Sequence, residues 1–379
     1  MVDSLKPGRG ATDTVAELLL LEQLPGVGPV TVRRLVGHFG SARAALGSPR
    51  AAFGRVAGRE AAAARGGAEV CARVEKALAQ AADLGVEAIG WGDRRYPAEL
   101  LNLADPPPVL FVRGRVELLR RTDGVCVVGA RRATARGRQV AERLGGALGR
   151  AGIVTVSGLA LGVDGAVHAG VLSVDGAAVA VLGSGPDVVY PRAHHRLFAR
   201  ILERGLLVSE FVPGTKAAPH HFPRRNRILA ALAKMTIVVE AGRRSGSLIT
   251  VDHALDLGRE VWSVPGPIDS AACAGSNRLL VDGARPLVSI GDFVTGVVGT
   301  REASTGDPAV ASAAAATGRA TARGLEARIL DALATDTLAI DEIAARLSLP
   351  AAKALALLTT LELHGEVERV PGMRFRRAA

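Results

Sequence analysis

Aromatic side chains are scarce: two tryptophans, two tyrosines and eight phenylalanines make up 3% of 379 residues. That argues against a long platform on which successive bases stack. Cysteine is equally thin. Cys71, Cys126 and Cys273 stand isolated, so neither a disulfide framework nor a thiolate metal site is expected, and a reducing compartment fits. The histidine pairs His194-His195 and His220-His221 are adjacent and so do not share one helix face as ligands would; no metal is expected. No run of eighteen apolar residues occurs, and no basic segment followed by an apolar stretch opens the sequence. The expectation is a cytoplasmic protein without a membrane span. The phosphate loop Gly-x4-Gly-Lys-Ser/Thr is missing, Gly183-Ser-Gly185 lacks the third glycine of the dinucleotide fingerprint, and Ser157 has neither a paired base nor a nucleophile elbow. No cofactor and no catalytic residue is expected.

Lysine is sparse too. Only five of the 47 basic residues are lysines, so the net charge of +10 is carried by arginine. That balance points to a polyanionic partner, although a general bias toward Ala, Gly and Arg would raise the charge as well. Clustering has to decide between the two. The organising stretch is Val125-Cys-Val-Val-Gly-Ala130, a short apolar run read as a buried parallel strand. It is followed by the basic turn Arg131-Arg-Ala-Thr-Ala-Arg-Gly-Arg138 and a helix with Val140, Leu144 and Leu148 on one face. The next strand, Ile153-Val-Thr-Val-Ser157, breaks at Ser157-Gly158 and restarts as a helix near Asp164. Both strands of this βαβ unit end in small residues before a helix N-terminus, where free amides and the helix dipole favour anions.

Further apolar runs at residues 177–182, 206–209, 236–240, 261–264 and 287–290 alternate with amphipathic segments at 194–204, 224–232, 246–257 and 277–282. Such alternation predicts an α/β domain with a Rossmann-like, doubly wound, mainly parallel sheet over residues 91–296. Ligands of such sheets sit beyond the carboxyl ends of the strands. Residues 1–90 are expected to form a helical domain. Within it, Leu24-Pro-Gly-Val-Gly-Pro29 resembles a helix-hairpin-helix turn, whose amides can hold a DNA phosphate without reading sequence. Residues 297–324 lose periodicity and read as a flexible linker. Residues 325–379 suggest three helices and a basic hairpin, a winged helix whose third helix offers no Arg, Asn or Gln for base edges.

The densest signal is His220-His-Phe-Pro-Arg-Arg-Asn-Arg227. Arg224, Arg225 and Arg227, with Asn226 between them, fall in the first turn of a helix opened near Pro223. Cations are unfavourable at that end. An ion pair to Glu210 or Glu240 would absorb one or two of them, and all three together point to a bound anion. After the next strand, Ser245, Gly246 and Ser247 start a helix and offer hydroxyl and amide donors to phosphate. Asp164 with His168 one turn on reads as a capping carboxylate beside a packed histidine.

Taken in order, these blocks closely resemble the DNA-processing protein A family (DprA/Smf). The resemblance rests on Val128-Gly-Ala-Arg131, Ser157-Gly-Leu-Ala-Leu-Gly-Val-Asp164, Val181-Leu-Gly-Ser-Gly-Pro-Asp-Val-Val-Tyr-Pro191, Ser209-Glu210, Phe222-Pro-Arg-Arg-Asn-Arg227, Ser245-Gly-Ser-Leu-Ile-Thr250 and Val264-Pro-Gly266. It implies a non-enzymatic protein that binds single-stranded DNA, helps load the RecA recombinase onto it, acts in natural transformation or recombination, and forms a homodimer through the Rossmann-like domain. Carried over by motif position, Arg131 and Arg192 belong in the DNA pocket. Gly129, Arg132, Ser157, Gly158, Arg224, Arg225, Asn226, Arg227, Ser245, Gly246 and Ser247 join them from the strand-end and dipole arguments. The competing expectation is a nucleotide-binding Rossmann-like enzyme that cleaves N-glycosidic bonds through Glu240 or Asp164.

Overall fold

The structure, a computed structural model, describes residues 13–121 and 123–305, and from the C-terminal part residues 328–334, 336–347, 354, 357–358, 361–362, 365–370 and 374–378. The chain divides into two compact units, Met1–Val298 and Gly299–Ala379.

The first unit opens with six helices: α1 (Val15–Glu22), α2 (Pro29–Phe39), α3 (Ala42–Gly47), α4 (Arg50–Ala57), α5 (Arg59–Ala64) and α6 (Ala68–Asp83). Thr14 and Glu17 form a reciprocal capping box at the start of α1. The expected hairpin joins α1 to α2. Gly26 takes a φ of 68° there, and Pro29 occupies the first turn of α2, where its missing N–H costs nothing. Leu18, Leu21, Val32, Leu35 and Phe53 fill the helical core, which Val109 and Phe111 of the neighbouring sheet complete.

That sheet has nine strands: β1 (Glu87–Gly90), β2 (Val109–Gly114), β3 (Val125–Val128), β4 (Thr155–Ser157), β5 (Ala178–Val181), β6 (Leu206–Ser209), β7 (Met235–Val238), β8 (Glu260–Ser263) and β9 (Arg285–Pro286). Their order is β1-β2-β6-β5-β4-β3-β7-β8-β9. From β6 to β9 every pairing is parallel, while β1 pairs antiparallel with β2 and β2 with β6. Short β-branched strands such as Val-Cys-Val-Val in β3 are buried on both faces, as a doubly covered parallel sheet demands. The connecting helices are α7 (Ala135–Arg150), α8 (Val163–Leu172), α9 (His195–Arg204), α10 (His221–Ala231), α11 (Leu248–Asp256), α12 (Ala274–Val281) and α13 (Ile290–Thr305). One core joins α7, α8 and α13 to the sheet through Leu144, Val167 and Phe293; another joins α10 and α11 to it through Ile228, Leu229 and Val251.

Two expectations differ in detail. Residues 287–290 do not form a strand. Leu287, Phe293 and Val297 are buried in one cluster, so the apolar run belongs to the approach and inner face of α13. That helix continues to Thr305, through residues expected to be linker; residues 306–327 lie outside the described residues. In the second unit β10 (Leu338–Ala339), β11 (Val367–Val370) and β12 (Arg374–Arg377) form a sheet in the order β10-β12-β11. Ile329, Ile343, Leu358 and Phe375 make its core. Most of the expected third helix, and the turn Pro371-Gly372, lie outside the described residues.

Candidate nucleic-acid interface

Strand order reverses at β3, which has β4 on one side and β7 on the other. Beyond the carboxyl ends of these strands lies a cavity of about 730 Å³. Its lining includes Arg131, Tyr190, Phe222, Arg225, Arg244 and Asp164, with Ser245, Gly246 and Ser247 along one wall.

Glu240, at the end of β7, holds the rim together. Its carboxylate accepts from the Thr134 amide at 2.9 Å and the Thr134 hydroxyl at 2.6 Å. The Thr134 hydroxyl in turn accepts from the Gly137 amide and caps α7. A side chain at Gly137 would collide with the Glu240 carboxylate at 2.6 Å, and one at Gly129 with Val163 at 2.6 Å and the Glu240 carbonyl at 2.8 Å. Glycine at 129 therefore lets the end of β3 lie directly against Val163 and the Glu240 backbone, and Arg131 two residues on is exposed. The Arg131 guanidinium lies 4.5 Å from the Phe222 ring centre, and the Phe222 and Tyr190 rings stand 5.3 Å apart. Tyr190 is 44% exposed, so this edge combines cation and aromatic in one place.

The turn after β4 behaves differently from expectation. Ser157 is fully buried and donates its hydroxyl to the Val127 carbonyl at 2.7 Å. The Gly158 amide donates to Asp164 at 3.1 Å, as does Ala160 at 3.4 Å. Neither Ser157 nor Gly158 thus offers a donor to an anion: the loop, with Leu159 at a φ of 54°, folds back on the buried carboxylate of its own helix. Gly158 instead makes room, because a Cβ there would meet the Arg225 guanidinium at 2.0 Å. Burial pushes the Asp164 carboxyl up. It also pushes His168 down to about 3 and keeps that imidazole neutral.

The arginines of α10 divide. Arg224 donates to Glu210 at 2.8 Å and lies 3.6 Å from Glu22 at the end of α1. Arg227 is buried, bonded to both Glu210 oxygens at 3.0 and 2.9 Å, and paired with Asp105 at 2.9 Å. These two were expected to face an anion. A single carboxylate from β6, helped by two others, absorbs them both. Asn226 does line the cavity, while its amide reaches the Gly246 carbonyl at 3.1 Å. Only Arg225 of the three turns to the cavity. Its guanidinium donates to the Val181 carbonyl, and burial lowers its pKa against the opposing charge of Asp164.

Arg132 is exposed beside Arg131, and Arg192 is exposed in the short turn that follows Tyr190-Pro191. Neither lines the cavity itself. Ser245 and Ser247 share a hydrogen bond at 2.7 Å and shape the wall facing Arg225. Sequence reasoning passed over Tyr190, Phe222 and Arg244. The first two are among the few aromatics and each directly precedes a proline, a signal that was available. Glu240 and Asp164, the carboxylates a bond-cleaving reading needs, are both spent on backbone amides.

A doubly wound sheet whose switch-point cavity gathers three arginines and one self-engaged carboxylate places the protein in the Rossmann-like class. Comparison with known proteins gives the family. The model for DNA recombination-mediator protein A matches residues 87–296 and that for the DprA winged helix domain residues 312–373. The DNA processing protein DprA of Bacillus subtilis is 38% identical over 58% of this chain and 74% of its own length, and protein Smf of Synechocystis is 34% identical over 74% and 71%. The solved structure of DprA from Streptococcus pneumoniae superposes with a TM-score of 0.66 at 31% identity, covering 75% of this chain and 98% of that one. DNA processing protein A of Helicobacter pylori, described for its single-stranded DNA binding mode, gives 0.53 at 27% identity over 57% and 96%. The chain belongs to the DprA family of DNA-processing proteins. Among the described residues no helix is long and apolar enough to cross a membrane.

Proposed function

We propose that the switch-point cavity binds single-stranded DNA, and that the protein helps load RecA recombinase onto that strand during natural transformation or recombination. The observation that carries the binding reading is the convergence of Arg131, Arg225 and Arg244 on a cavity whose one acidic lining residue, Asp164, is occupied by backbone amides. Phosphates are the ligand that cationic forks and a serine-rich helix start favour together. The exposed ring of Tyr190 beside Phe222 adds one stacking face, open to a base of an unpaired strand and closed to a base inside a duplex. Kinship with DprA of B. subtilis and with the single-strand-binding H. pylori protein supports the same reading. Loading of RecA, action as a homodimer through the Rossmann-like domain and a cytoplasmic location belong to the same proposal, which kinship with the family supports; the exposed apolar residues Leu255, Val281 and Val288 are available for self-association.

Titrating single- and double-stranded oligonucleotides at two salt concentrations tests the binding. Wild type is expected to prefer the single strand, and Arg131→Ala to weaken it and flatten the logarithmic salt slope by about 0.7, the value of one single-strand phosphate contact. Unchanged affinity and slope in Arg131→Ala would remove the cavity from the binding site.

A further inference from the structure

The outer face of α7 carries a second concentration of arginine outside the cavity. A groove of about 780 Å³ is lined by Arg136, Arg138, Gln139 and Arg143, with Glu142 as its one acidic residue. Arg136, Arg143 and Arg150 recur every seven residues and are all exposed. Seven residues return a helix to within about 20° of the same face, so the three form one stripe about 21 Å long at 1.5 Å per residue. Ala141, Leu144 and Leu148 bury the opposite face.

Direction matters as much as alignment. Helix α7 starts at Thr134, tied to Glu240 at the cavity rim, and leads away over the sheet. Arg136 therefore lies close to Arg131 and Arg132, and Arg150 lies at the far end. The stripe continues the cationic rim outward.

A solvated helix face in an arginine-rich chain is the plain alternative, and alignment with the cavity rim, together with the absence of ion pairs to carboxylates along it, separates the two. Some exposed arginines elsewhere find carboxylates, among them Arg73 with Glu69, Arg95 with Asp93 and Arg278 with Asp282; others, such as Arg34, Arg55 and Arg196, have no ion pair among the described residues but stand apart from the cavity rim. Among the described residues Arg131, Arg132, Arg136, Arg143 and Arg150 have no such ion pair. Arg138 stands four residues before Glu142, well placed for a helical pair, yet reaches back to the Ala133 carbonyl at 2.6 Å. The unpaired guanidinium groups form a band contiguous with the cavity.

We infer that this stripe carries the stretch of single strand flanking the part held in the cavity, through phosphate contacts alone. The inference rests on the cavity reading given above. Its length matches about six stacked nucleotides at about 3.4 Å each. With no aromatic residue on α7, the contact is indifferent to base identity.

The test uses the full chain with Arg136, Arg143 and Arg150 all replaced by Gln, its melting temperature compared with that of wild type, and a second variant with all three replaced by Lys. Fluorescence anisotropy follows binding of oligothymidylates of about four and about twelve nucleotides across a salt series. The shorter oligomer fills the cavity and is expected to bind the Gln variant as it binds wild type. For the longer one the Gln variant is expected to lose about two units of salt slope, three contacts at about 0.7 each, and the Lys variant to keep the wild-type slope. An unchanged slope on the longer oligomer, or equal weakening at both lengths, overturns the inference. Arg131→Ala measured alongside reads the cavity separately: weakening at both lengths upholds the cavity whatever the stripe does.

Discussion

At the scale of single residues, the cavity separates arginines that hold the protein together from arginines that are free to hold something else. Arg227 and Glu210 form a buried pair whose side chains are 3% and 1% exposed. Truncating one partner strands the other charge in a medium that cannot solvate it. Arg227→Ala is expected to cost about 3 kcal/mol of stability, the lower end for a broken buried pair because Arg224 stays on Glu210. Arg224→Ala, removing a partly exposed partner, is expected to cost no more than about 1 kcal/mol. Urea denaturation midpoints distinguish the two, and equal losses would mean that Glu210 relies on Arg224 instead. The string Arg-Arg-Asn-Arg could not announce this division. Helix dipole arguments count the cations in a first turn, but which of them meets a carboxylate depends on where β6 delivers Glu210, a tertiary fact. Arg131 was legible for a different reason: the block Val128-Gly-Ala-Arg131 carries it over by motif position, and it opens the basic turn after a glycine-ended strand. Ser157 and Gly158 share that local pattern and misled, because Asp164, six residues after Gly158, claims the amides first.

At the scale of elements, α10 is the hinge between the helical layer and the cavity. Its first turn presents Phe222 and Arg225 to the cavity, while Arg224 meets Glu22 at the last residue of α1. Glu22 is largely buried, its side chain 12% exposed, beside Glu210, with Arg224 and Arg227 only partly offsetting the loss of solvent, and its pKa rises from 4.5 to about 7. A folded-state pKa above the unfolded one means that the native protein keeps a proton the unfolded chain has released. This contribution therefore makes stability fall as pH rises from about 4.5 to about 7 and stay level above that. Replacing Glu22 by Gln removes the titration. The variant is expected to gain on wild type across that window, by at most about 3 kcal/mol near pH 8. Chemical denaturation of both proteins at about pH 5 and about pH 8 measures the gap, and a gap that does not widen contradicts a protonated Glu22. Alternation of strands and helices was readable from periodicity almost throughout, since buried parallel strands leave short β-branched runs. The edges were harder. β1 and β9, at the two ends of the sheet, are short and pair on one side only, so the sequence carries little apolar pattern there.

At the scale of the whole molecule, the question is where the charge resides. Residues 306–379 hold nine basic and nine acidic side chains, which cancel, so the net +10 belongs entirely to residues 1–305. The same boundary closes α13. Composition alone suggested a polyanion and left coding bias as a rival explanation. Bias would spread the excess evenly, whereas the charge is confined to the part that carries the cavity and the α7 stripe. Salt-dependent binding counts phosphates neutralised rather than total charge, so a neutral C-terminal region, whose expected reading helix lacks base-pairing side chains, adds few counterions to the release. A chain ending at residue 305 is therefore expected to bind a single strand with the affinity and salt slope of the full protein. Sedimentation and anisotropy on the two chains compare them directly. A drop of more than about one unit in slope would assign at least one phosphate contact to the winged helix, and with it a share of the binding that the charge distribution denies it.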